Sequence, residues 1–410
     1  MPTVALQRRA LAQGRGAGRP RRGLLTVLLT AYLAEGVLGG GGRLVVLGPV
    51  TLKMVLFAAV VLAAAATALY RQRTDREAFQ WTLAFGAVVA VGAFVGAMGG
   101  ATPEAIAADV VPLLSFLALP FLFLAVRDAS DVRLVSAVIR WGSLALALGA
   151  VAVFAALRVG AVPFPVAYAV TTPTGEFFWR GTSTFFYKGF IYMVVGAGFF
   201  LSHRRQARFL AIGLFVAVIV LSGTRGLLLA VAAVVAVYAA LIRRSPVLIA
   251  IQIVALLAGV FALADEYAAL ANARGVSDGV RIVQAQEVAE RITLPSFLVG
   301  HGFGHGVPSR PERMELMYLE VLHKQGAVGL LFWAAALVFV LGLYRRARAA
   351  GAWREASPFL LAVVAVYAQS LTNPFLNNPI GITVLVVSMA SLRALGRPRA
   401  GRPSHSLSAP

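Results

Sequence analysis

A single arginine, Arg225, lies between two long apolar runs, in the segment LSGTRG at positions 221–226. A guanidinium close to hydrocarbon is costly, so an arginine in this position usually serves a function. Its planar fork pairs bidentately with phosphate oxygens, and glycines at both sides of it permit a tight turn. We interpret Arg225 as a residue that binds a phosphate or diphosphate. The alternative is a structural arginine whose side chain snorkels to the membrane interface.

A second candidate is the glycine-rich segment GHGFGHG at positions 300–306. His301 and His305 have the i,i+4 spacing of a metal-binding pair, but that spacing brings two ligands together only on a helix. Alternating glycines disfavour a helix, and no carboxylate pattern completes a metal site. The segment therefore predicts a sharply folded turn that lines a pocket, with no metal bound.

The third candidate is Glu315, which opens the segment ELMYLEVLHKQGAVGL at positions 315–330 and leads into a long apolar run. Glu315 and Tyr318 fall on one stripe of the predicted helix. The carboxylate can act as a favourable charge at the positive end of the helix dipole, or as a general base. Both interpretations stay open. Glu320 and His323 are three residues apart and can satisfy each other inside a helix bundle.

The composition determines the environment of these residues. Of 410 residues, 59% are hydrophobic and only 13% are charged, with a mean hydropathy of +0.81. A soluble domain has about 25% charged residues, so most of this surface must face lipid. The net charge of +20 comes from arginine clusters between apolar runs, which is typical of cytoplasmic loops and does not indicate a nucleic-acid partner. The absence of cysteine excludes disulfides, thiolate metal sites and a cysteine nucleophile.

Hydropathy predicts an all-α membrane protein with about 12 transmembrane helices. If the N-terminus is cytoplasmic, the arginine clusters fall on every second loop, as the positive-inside rule requires. The predicted organisation is a disordered cytoplasmic tail over 1–23, a transmembrane domain over 24–395 and a disordered cytoplasmic tail over 396–410. The predicted spans lie near 24–40, 46–69, 79–98, 109–126, 134–157, 185–201, 208–222, 226–242, 246–264, 316–343, 358–372 and 379–395.

Two long loops then lie on the outer side of the membrane, over 158–184 and, between the ninth and tenth helices, over 265–315. Long loops in compact proteins are often functional, and residues 280–291 have the pattern of an amphipathic helix on the outer face. The outer side should be poor in positive charge, and here it is rich in it. These basic residues fit a seat for a diphosphate, or they are solvated charges that touch lipid phosphates. They are Arg180, Lys188, Arg225, Arg274, Arg281, Arg291, Arg310 and Arg313.

Taken together, these segments resemble the superfamily of O-antigen ligases and O-antigen polymerases. The resemblance rests on LSGTRGLLL at 221–229, Arg281 in the amphipathic stretch, LVGHGFG at 298–304 and ELMYLEVLHKQGAVGL at 315–330. The order and spacing of these motifs carry more weight than any one of them. They cover roughly residues 170–345, and the rest of the chain is similar in its plan of about a dozen spans and one large late loop.

The resemblance implies a metal-independent glycosyltransferase in the bacterial inner membrane, with its active site facing the periplasm and no cofactor. Its donor would be a glycan on undecaprenyl diphosphate, and Arg225 and Arg281 would bind the diphosphate. Glu315 stands where ligases of the family carry a histidine, which favours a polymerase and makes Glu315 the expected base. His301, His305 and His323 stay open as alternative bases. Residues expected to position sugar or phosphate are Arg180, Lys188, Arg310 and Tyr318, with His301 and His305 lining the pocket.

Two alternatives remain. An O-antigen ligase would transfer the finished glycan to a lipid A-core acceptor, whereas a polymerase transfers it to another glycan and can have a chain-length regulator as a partner. A polysaccharide flippase or transporter would also have about 12 spans. Against a transporter, the predicted spans contain few charges beyond Lys53 and Lys188, and we identify no pair of broken helices.

Overall fold

The computed structural model describes residues 23–47, 50–71, 75–202, 207–243 and 279–397. These residues form a bundle of α-helices with two short hairpins. The helices of the first half are α1 (Leu24–Gly39), α2 (Leu52–Arg71), α3 (Arg76–Met98), α4 (Pro103–Leu113), α5 (Leu119–Ala125), α6 (Ala129–Arg158) and α7 (Phe164–Thr171). Those of the second half are α8 (Ile191–Leu201), α9 (Ala207–Leu221), α10 (Arg225–Val237), α11 (residues 279–291), α12 (Leu294–Val299), α13 (Met317–Ala349), α14 (Trp353–Gln369) and α15 (Pro379–Gly396).

Seven helical segments of the described chain are long and apolar enough to cross a membrane. This agrees with the predicted all-α membrane protein. Every predicted span except 246–264 overlaps at least one observed helix, and 246–264 lies outside the described residues. The two predicted tails, apart from positions 23, 396 and 397, and positions 265–278 of the large loop also lie outside them. The count of 12 stays a prediction.

The helix ends that are predicted to lie on the same side of the membrane contact one another. At the predicted cytoplasmic end, Glu77 pairs with Arg346 (3.2 Å) and Arg393 (3.3 Å). At the opposite end, the Glu176 carboxylate accepts a hydrogen bond from Gly41 N (3.0 Å). The bundle therefore has two polar ends separated by apolar helix, as the alternation of basic loops predicts.

The centre of the bundle is formed by α8, α14 and α15, which are almost entirely buried, while α2 and α3 leave most of their apolar surface exposed. An aromatic cluster fastens α3 and α13 to the segment after α4: Phe85 stacks on Phe116 at 4.4 Å, and Trp333 contacts both rings edge-on. Aromatic pairs of this kind stabilise a contact beyond their buried area. They fix α13, which carries the candidate site at its outer end.

Two predicted spans begin too early. Val46–Leu47 and Val50–Thr51 are β1 and β2, an antiparallel hairpin, so that α2 begins only at Leu52. Phe177–Trp179 and Phe185–Tyr187 are β3 and β4, and a 3₁₀ turn over Lys188–Phe190 precedes α8. The second hairpin is favoured because its aromatic side chains pair across the strands, with Phe177 and Tyr187 stacked at 4.8 Å.

We identify no pair of broken helices in the sequence, but the described residues contain two helix breaks. Between α4 and α5 the backbone tightens into a 3₁₀ turn over Leu114–Ala118, flanked by Pro112 and Pro120. Proline lacks the amide hydrogen that a continuous helix needs. In α13, Gly326 adopts φ +66°, which interrupts the helix, and a side chain there would overlap the backbone of Leu298.

Candidate functional site

Glu315 lies between two arginines at the predicted outer end of the bundle. One carboxylate oxygen accepts a hydrogen bond from Arg281 Nε at 2.9 Å, and the other accepts one from Arg310 Nη2 at 2.7 Å. The Glu315 side chain is 26% exposed, so the group is open to solvent or ligand. Three predicted site residues that are up to 34 positions apart in sequence thus form one charged group with an excess of one positive charge.

Amphipathic α11 is the element that assembles this group. As predicted, residues 280–291 are helical. Its buried Gln284 accepts a hydrogen bond from the backbone N of Glu315 at 3.1 Å, and its Glu287 accepts one from the Ser309 hydroxyl at 2.6 Å. These bonds tie the segment that precedes α13 to α11. Because α13 begins at Met317, Glu315 lies just before the helix and not within it.

Arg225 is the first residue of α10 and follows a turn over 222–224. Arg180, from the loop between β3 and β4, reaches this turn: its Nη1 donates to the carbonyl oxygens of Ser222 (3.2 Å) and Gly223. Gly223 has φ +63°, a conformation that favours glycine. The structure therefore brings Arg180 and Arg225 to the same turn, at the predicted outer end of the bundle.

Tyr318 and Gly226 both contact the C-terminal end of α14. The Tyr318 hydroxyl donates to the carbonyl oxygen of Tyr367 at 2.8 Å. A side chain on Gly226 would overlap Thr372 and press on Gln369, so the start of α10 packs closely against the turn after α14. The C-terminal end of α14 thus contacts both the start of α10, where Arg225 lies, and the helix that follows Glu315.

The glycine-rich segment is a turn and not a helix, as predicted. Gly300, Gly302 and Gly304 have φ between +81° and +87°, and a side chain on Gly302 would overlap the backbone of Gly96 in α3. His305 Nε2 lies 3.3 Å from the carbonyl oxygen of Gly96. His301 stacks on His323, with ring centroids 4.5 Å apart. Both predicted pocket histidines therefore contact the helix bundle, and neither contacts Glu315.

The predicted pairing of Glu320 with His323 is wrong. Glu320 instead binds Lys324 one turn further along, with Oε1 3.0 Å from Nζ. Lys324 also binds Asp109 Oδ1 at 2.8 Å, and Asp109 Oδ2 accepts a hydrogen bond from Gly304 N at 2.8 Å. This buried cluster fixes the glycine-rich turn to α4 and α13. The i,i+4 spacing of Glu320 and Lys324 was a visible signal of it.

Lys188 lies in a different place from the Glu315 group. It lines a cavity together with Glu176, and its Nζ lies 5.5 Å from the ring centroid of Phe178. Next to it, burial and the negative charge of Glu176 raise the pKa of the Tyr187 phenol. The Tyr187 hydroxyl donates a hydrogen bond to the carbonyl oxygen of Leu38 at 2.8 Å. Among the residues that the structure describes, no three histidine, aspartate or glutamate side chains are grouped as a metal site would require.

Comparison with known proteins extends the resemblance beyond the motifs. No protein-family model matches the chain. The O-antigen polymerase of Shigella flexneri is 28% identical over 372 residues, which cover 88% of this chain and 93% of the relative. The similarity therefore includes the apolar helices on both sides of the motif region, and it supports a multi-pass bacterial membrane protein. The motifs, the helical architecture and this similarity together support the resemblance of the chain to the superfamily of O-antigen polymerases and ligases.

Proposed function

We propose that the chain is a surface-polysaccharide polymerase that uses a glycan on undecaprenyl diphosphate as donor and works at the periplasmic face of the inner membrane. The observation that carries the proposal is the group of Arg281, Glu315 and Arg310 at the outer end of the bundle. It combines a carboxylate for proton transfer with cations for a diphosphate. The similarity to an O-antigen polymerase over 88% of the chain supports the same reaction.

In the proposed reaction, an acceptor hydroxyl attacks the anomeric carbon of the donor sugar. The bond between that carbon and the diphosphate oxygen breaks, and the lipid diphosphate leaves with the bonding electrons. Arg225 and Arg281 stabilise the negative charge that develops on it, because fixed cations aimed at a leaving group lower the barrier. Arg310 also stabilises this negative charge. Arg180 holds the turn that precedes Arg225 through its hydrogen bonds to the carbonyl oxygens of Ser222 and Gly223. No metal or nucleotide takes part in this scheme.

Glu315 is the proposed base that takes the proton of the acceptor hydroxyl. Each oxygen of an ionised carboxylate has two acceptor positions. One arginine on each oxygen leaves acceptor positions on both, so Glu315 can bind the two arginines and a hydroxyl together. Alternatively, Glu315 holds Arg281 and Arg310 in position, and a different group takes the proton of the acceptor hydroxyl.

The alternative within the same superfamily is a ligase that transfers the glycan to lipid A-core. Glu315 argues for the polymerase, because the ligases of the family carry histidine at that position. A transporter remains the alternative of another class, and the two broken helices are a feature that transporters also have. The ion pairs of the Glu315 group favour group transfer, because a transport path needs no carboxylate held by two arginines.

The test uses the purified protein in nanodiscs with a single substrate, a repeat unit on undecaprenyl diphosphate. A polymerase produces a ladder of longer lipid-linked glycans from this substrate alone. Product that forms only after lipid A-core is added would identify a ligase instead. Movement of the lipid-linked glycan across the bilayer without any new glycosidic bond would support the transporter.

Glu315→Gln separates the two roles of the carboxylate. The amide keeps the size of the side chain but cannot take a proton, so we expect the rate to fall about a hundredfold or more while donor binding is retained. Glu290→Gln, at an exposed position of α11, is the matched control and should retain full activity. Donor binding that falls together with the rate would indicate that Glu315 acts by positioning the arginines.

The periplasmic orientation can be tested with single cysteines, because the natural chain has none. Thr182→Cys lies in the predicted outer loop and Ala350→Cys in a predicted inner loop, and both positions are exposed. In intact cells, a membrane-impermeant maleimide should label only Thr182→Cys. After the membrane is permeabilised, it should label both. Labelling of Ala350→Cys in intact cells would invert the topology and place the Glu315 group in the cytoplasm.

A further inference from the structure

A cavity of about 360 Å³ lies at the predicted outer end of the bundle, between α1, α2, the broken α4–α5 helix and the start of α15. None of the residues that line it belongs to the Glu315 group or to the turn with Arg225. Its volume is within the range of small-molecule sites. The charged residues in its wall are four cations and one carboxylate: Arg43, Lys53, Lys188, Arg313 and Glu176.

Contacts with the surrounding backbone hold several of these charges in place. Lys53, 6% exposed, donates from Nζ to the carbonyl oxygen of Gly40 at 3.1 Å. Arg313 Nη2 donates to the carbonyl oxygen of Ala108 at 2.7 Å. Glu176, 1% exposed, is the one carboxylate in the wall. A second carboxylate, Glu35, lies near Lys53 but outside the lining. Four cations against these two carboxylates leave a positive excess, which suits an anion with several charges.

The other wall of the cavity is apolar and faces the membrane. Met54 and Phe57 of α2 lie on one side, and Val111 and Leu114 of the broken helix lie on the other. Met54 and Val111 are 50% and 52% exposed, although both belong to segments that can span a membrane. The apolar lining between α2 and the broken helix therefore suits an apolar chain that enters from the bilayer. A ligand that fits this site has a multiply charged anionic head and a long apolar tail.

A polymerase whose donor and acceptor are both lipid-linked must hold two lipid diphosphates at once. The Glu315 group and Arg225 supply cations for one of them. We infer that the cavity lined by Arg43, Lys53 and Lys188 binds the diphosphate and the first isoprene units of the second, acceptor substrate. This inference rests on the proposed function, and it gives a role to the helix break between α4 and α5, which shapes the apolar wall.

Native mass spectrometry of the purified protein with undecaprenyl diphosphate tests the inference without any activity assay. Wild-type protein should bind two molecules. Arg43→Gln/Lys188→Gln should bind one, and Arg225→Ala should also bind one, because each variant loses a different site. The double variant Arg133→Gln/Arg158→Gln removes two exposed charges outside both sites and should bind two.

A second variant makes the result independent of charge. Val111→Trp fills the apolar wall from an exposed position, so it should also reduce binding from two molecules to one. The one undecaprenyl diphosphate molecule that each variant still binds shows that the variant is folded. Wild-type protein that binds a single molecule, lost in Arg225→Ala and kept in Arg43→Gln/Lys188→Gln, would overturn the inference.

Competing ligands distinguish the sources of the anion. Undecaprenyl diphosphate should resist displacement from the cavity by phosphatidylglycerol and by inorganic diphosphate at tenfold excess. Displacement by phosphatidylglycerol would mean that the cavity binds any anionic lipid. Displacement by inorganic diphosphate would mean that the polyisoprenoid tail contributes nothing to binding. Either result would overturn the assignment to a polyisoprenoid diphosphate.

The acceptor role has its own readout. With a fluorescent lipid-linked glycan as donor at fixed concentration, Arg43→Gln/Lys188→Gln should raise the half-saturating concentration of the single repeat unit about tenfold, with little change in the maximal rate. An unchanged value would overturn the acceptor role. A glycan ladder from a protein that binds one lipid would refute the second site and leave the proposed polymerase intact. Two bound lipids without any ladder would refute the polymerase and leave the site.

Discussion

Removal of the Lys324 charge should destabilise the protein more than removal of any exposed cation. Lys324 is 2% exposed, and its Nζ lies 2.8 Å from Asp109 and 3.0 Å from Glu320, which are themselves 8% and 4% exposed. It also donates to the carbonyl oxygen of Glu312 at 2.7 Å. Lys324→Met keeps the length of the apolar stem but leaves two buried carboxylates without their shared cation.

Removal of one partner from a buried ion pair costs about 3–5 kcal/mol. Two carboxylates depend on Lys324, so we expect the upper half of that range, about 4–5 kcal/mol. The polar bonds that remain, from Gly304 N to Asp109 and from Asn377 to Glu320 at 3.4 Å, are neutral and offset little of this cost.

Thermal unfolding in detergent, followed by size-exclusion chromatography of a fluorescent fusion, measures the effect. Lys324→Met should lower the apparent melting temperature by about 5 °C or more. Arg348→Met, an exposed position of the same helix, is the matched control and should change the free energy of unfolding by about 0.5 kcal/mol or less. Combination of Lys324→Met with Asp109→Asn and Glu320→Gln should recover most of the loss, because no buried charge remains.

A melting temperature of Lys324→Met within about 1 °C of wild type would refute the reasoning, since a cation whose loss costs so little is not the shared partner of two buried carboxylates. Failure of the triple variant to recover stability would show that the cluster acts through shape and hydrogen bonds. In that case its charges would not explain how the glycine-rich turn is held.

Three further predictions concern the site and the inner end. Arg225→Ala should lower the polymerisation rate about a hundredfold or more with unchanged protein yield, and Arg225→Lys should recover little, because a lysine lacks the planar fork; wild-type ladders from either variant would remove Arg225 from the site. Gly302→Ala should lower the free energy of unfolding by about 3 kcal/mol or more, because the added methyl group would overlap α3. The control Gly100→Ala has a similar φ but open space around it, so it should lower the free energy of unfolding by about 1 kcal/mol. Equal losses in the two variants would contradict the close packing of Gly302. Arg393→Gln should cost about 3 kcal/mol, because the Asp75 carboxylate that pairs with Arg393 is only 7% exposed, and a change in ladder length at equal yield would mean that this end of the bundle affects catalysis.

The sequence predicted the membrane class and the approximate positions of the helices, because apolar length is a local property that lipid imposes on each segment separately. It could not predict where α2 and α8 begin. In these two places, short strands form a hairpin with cross-strand pairs such as Phe177 with Tyr187, and a hydropathy profile does not detect such pairs. The break between α4 and α5 had a local signal in Pro112 and Pro120, which the hydropathy pattern outweighed.

The sequence also singled out Arg225, Arg281, Arg310 and Glu315 by residue type and by motif. That Arg281 and Arg310 both bind Glu315 was decided only by the fold, because α11 must dock on the segment before α13 to bring them within 2.9 Å. Local pattern likewise assigned the glycine-rich turn correctly, but its packing against Gly96 depends on a helix some 200 residues earlier in the chain.

The cavity charges illustrate the remaining limit. Arg43 and Lys53 are ten residues apart, but Glu176 and Arg313 each lie more than 100 residues further along the chain, and no local pattern links the four charges. Residue type and spacing determine what a side chain can do and which solvent its segment prefers. Which side chains share a cavity depends on long-range packing between helices, and no local period in the sequence carries that information.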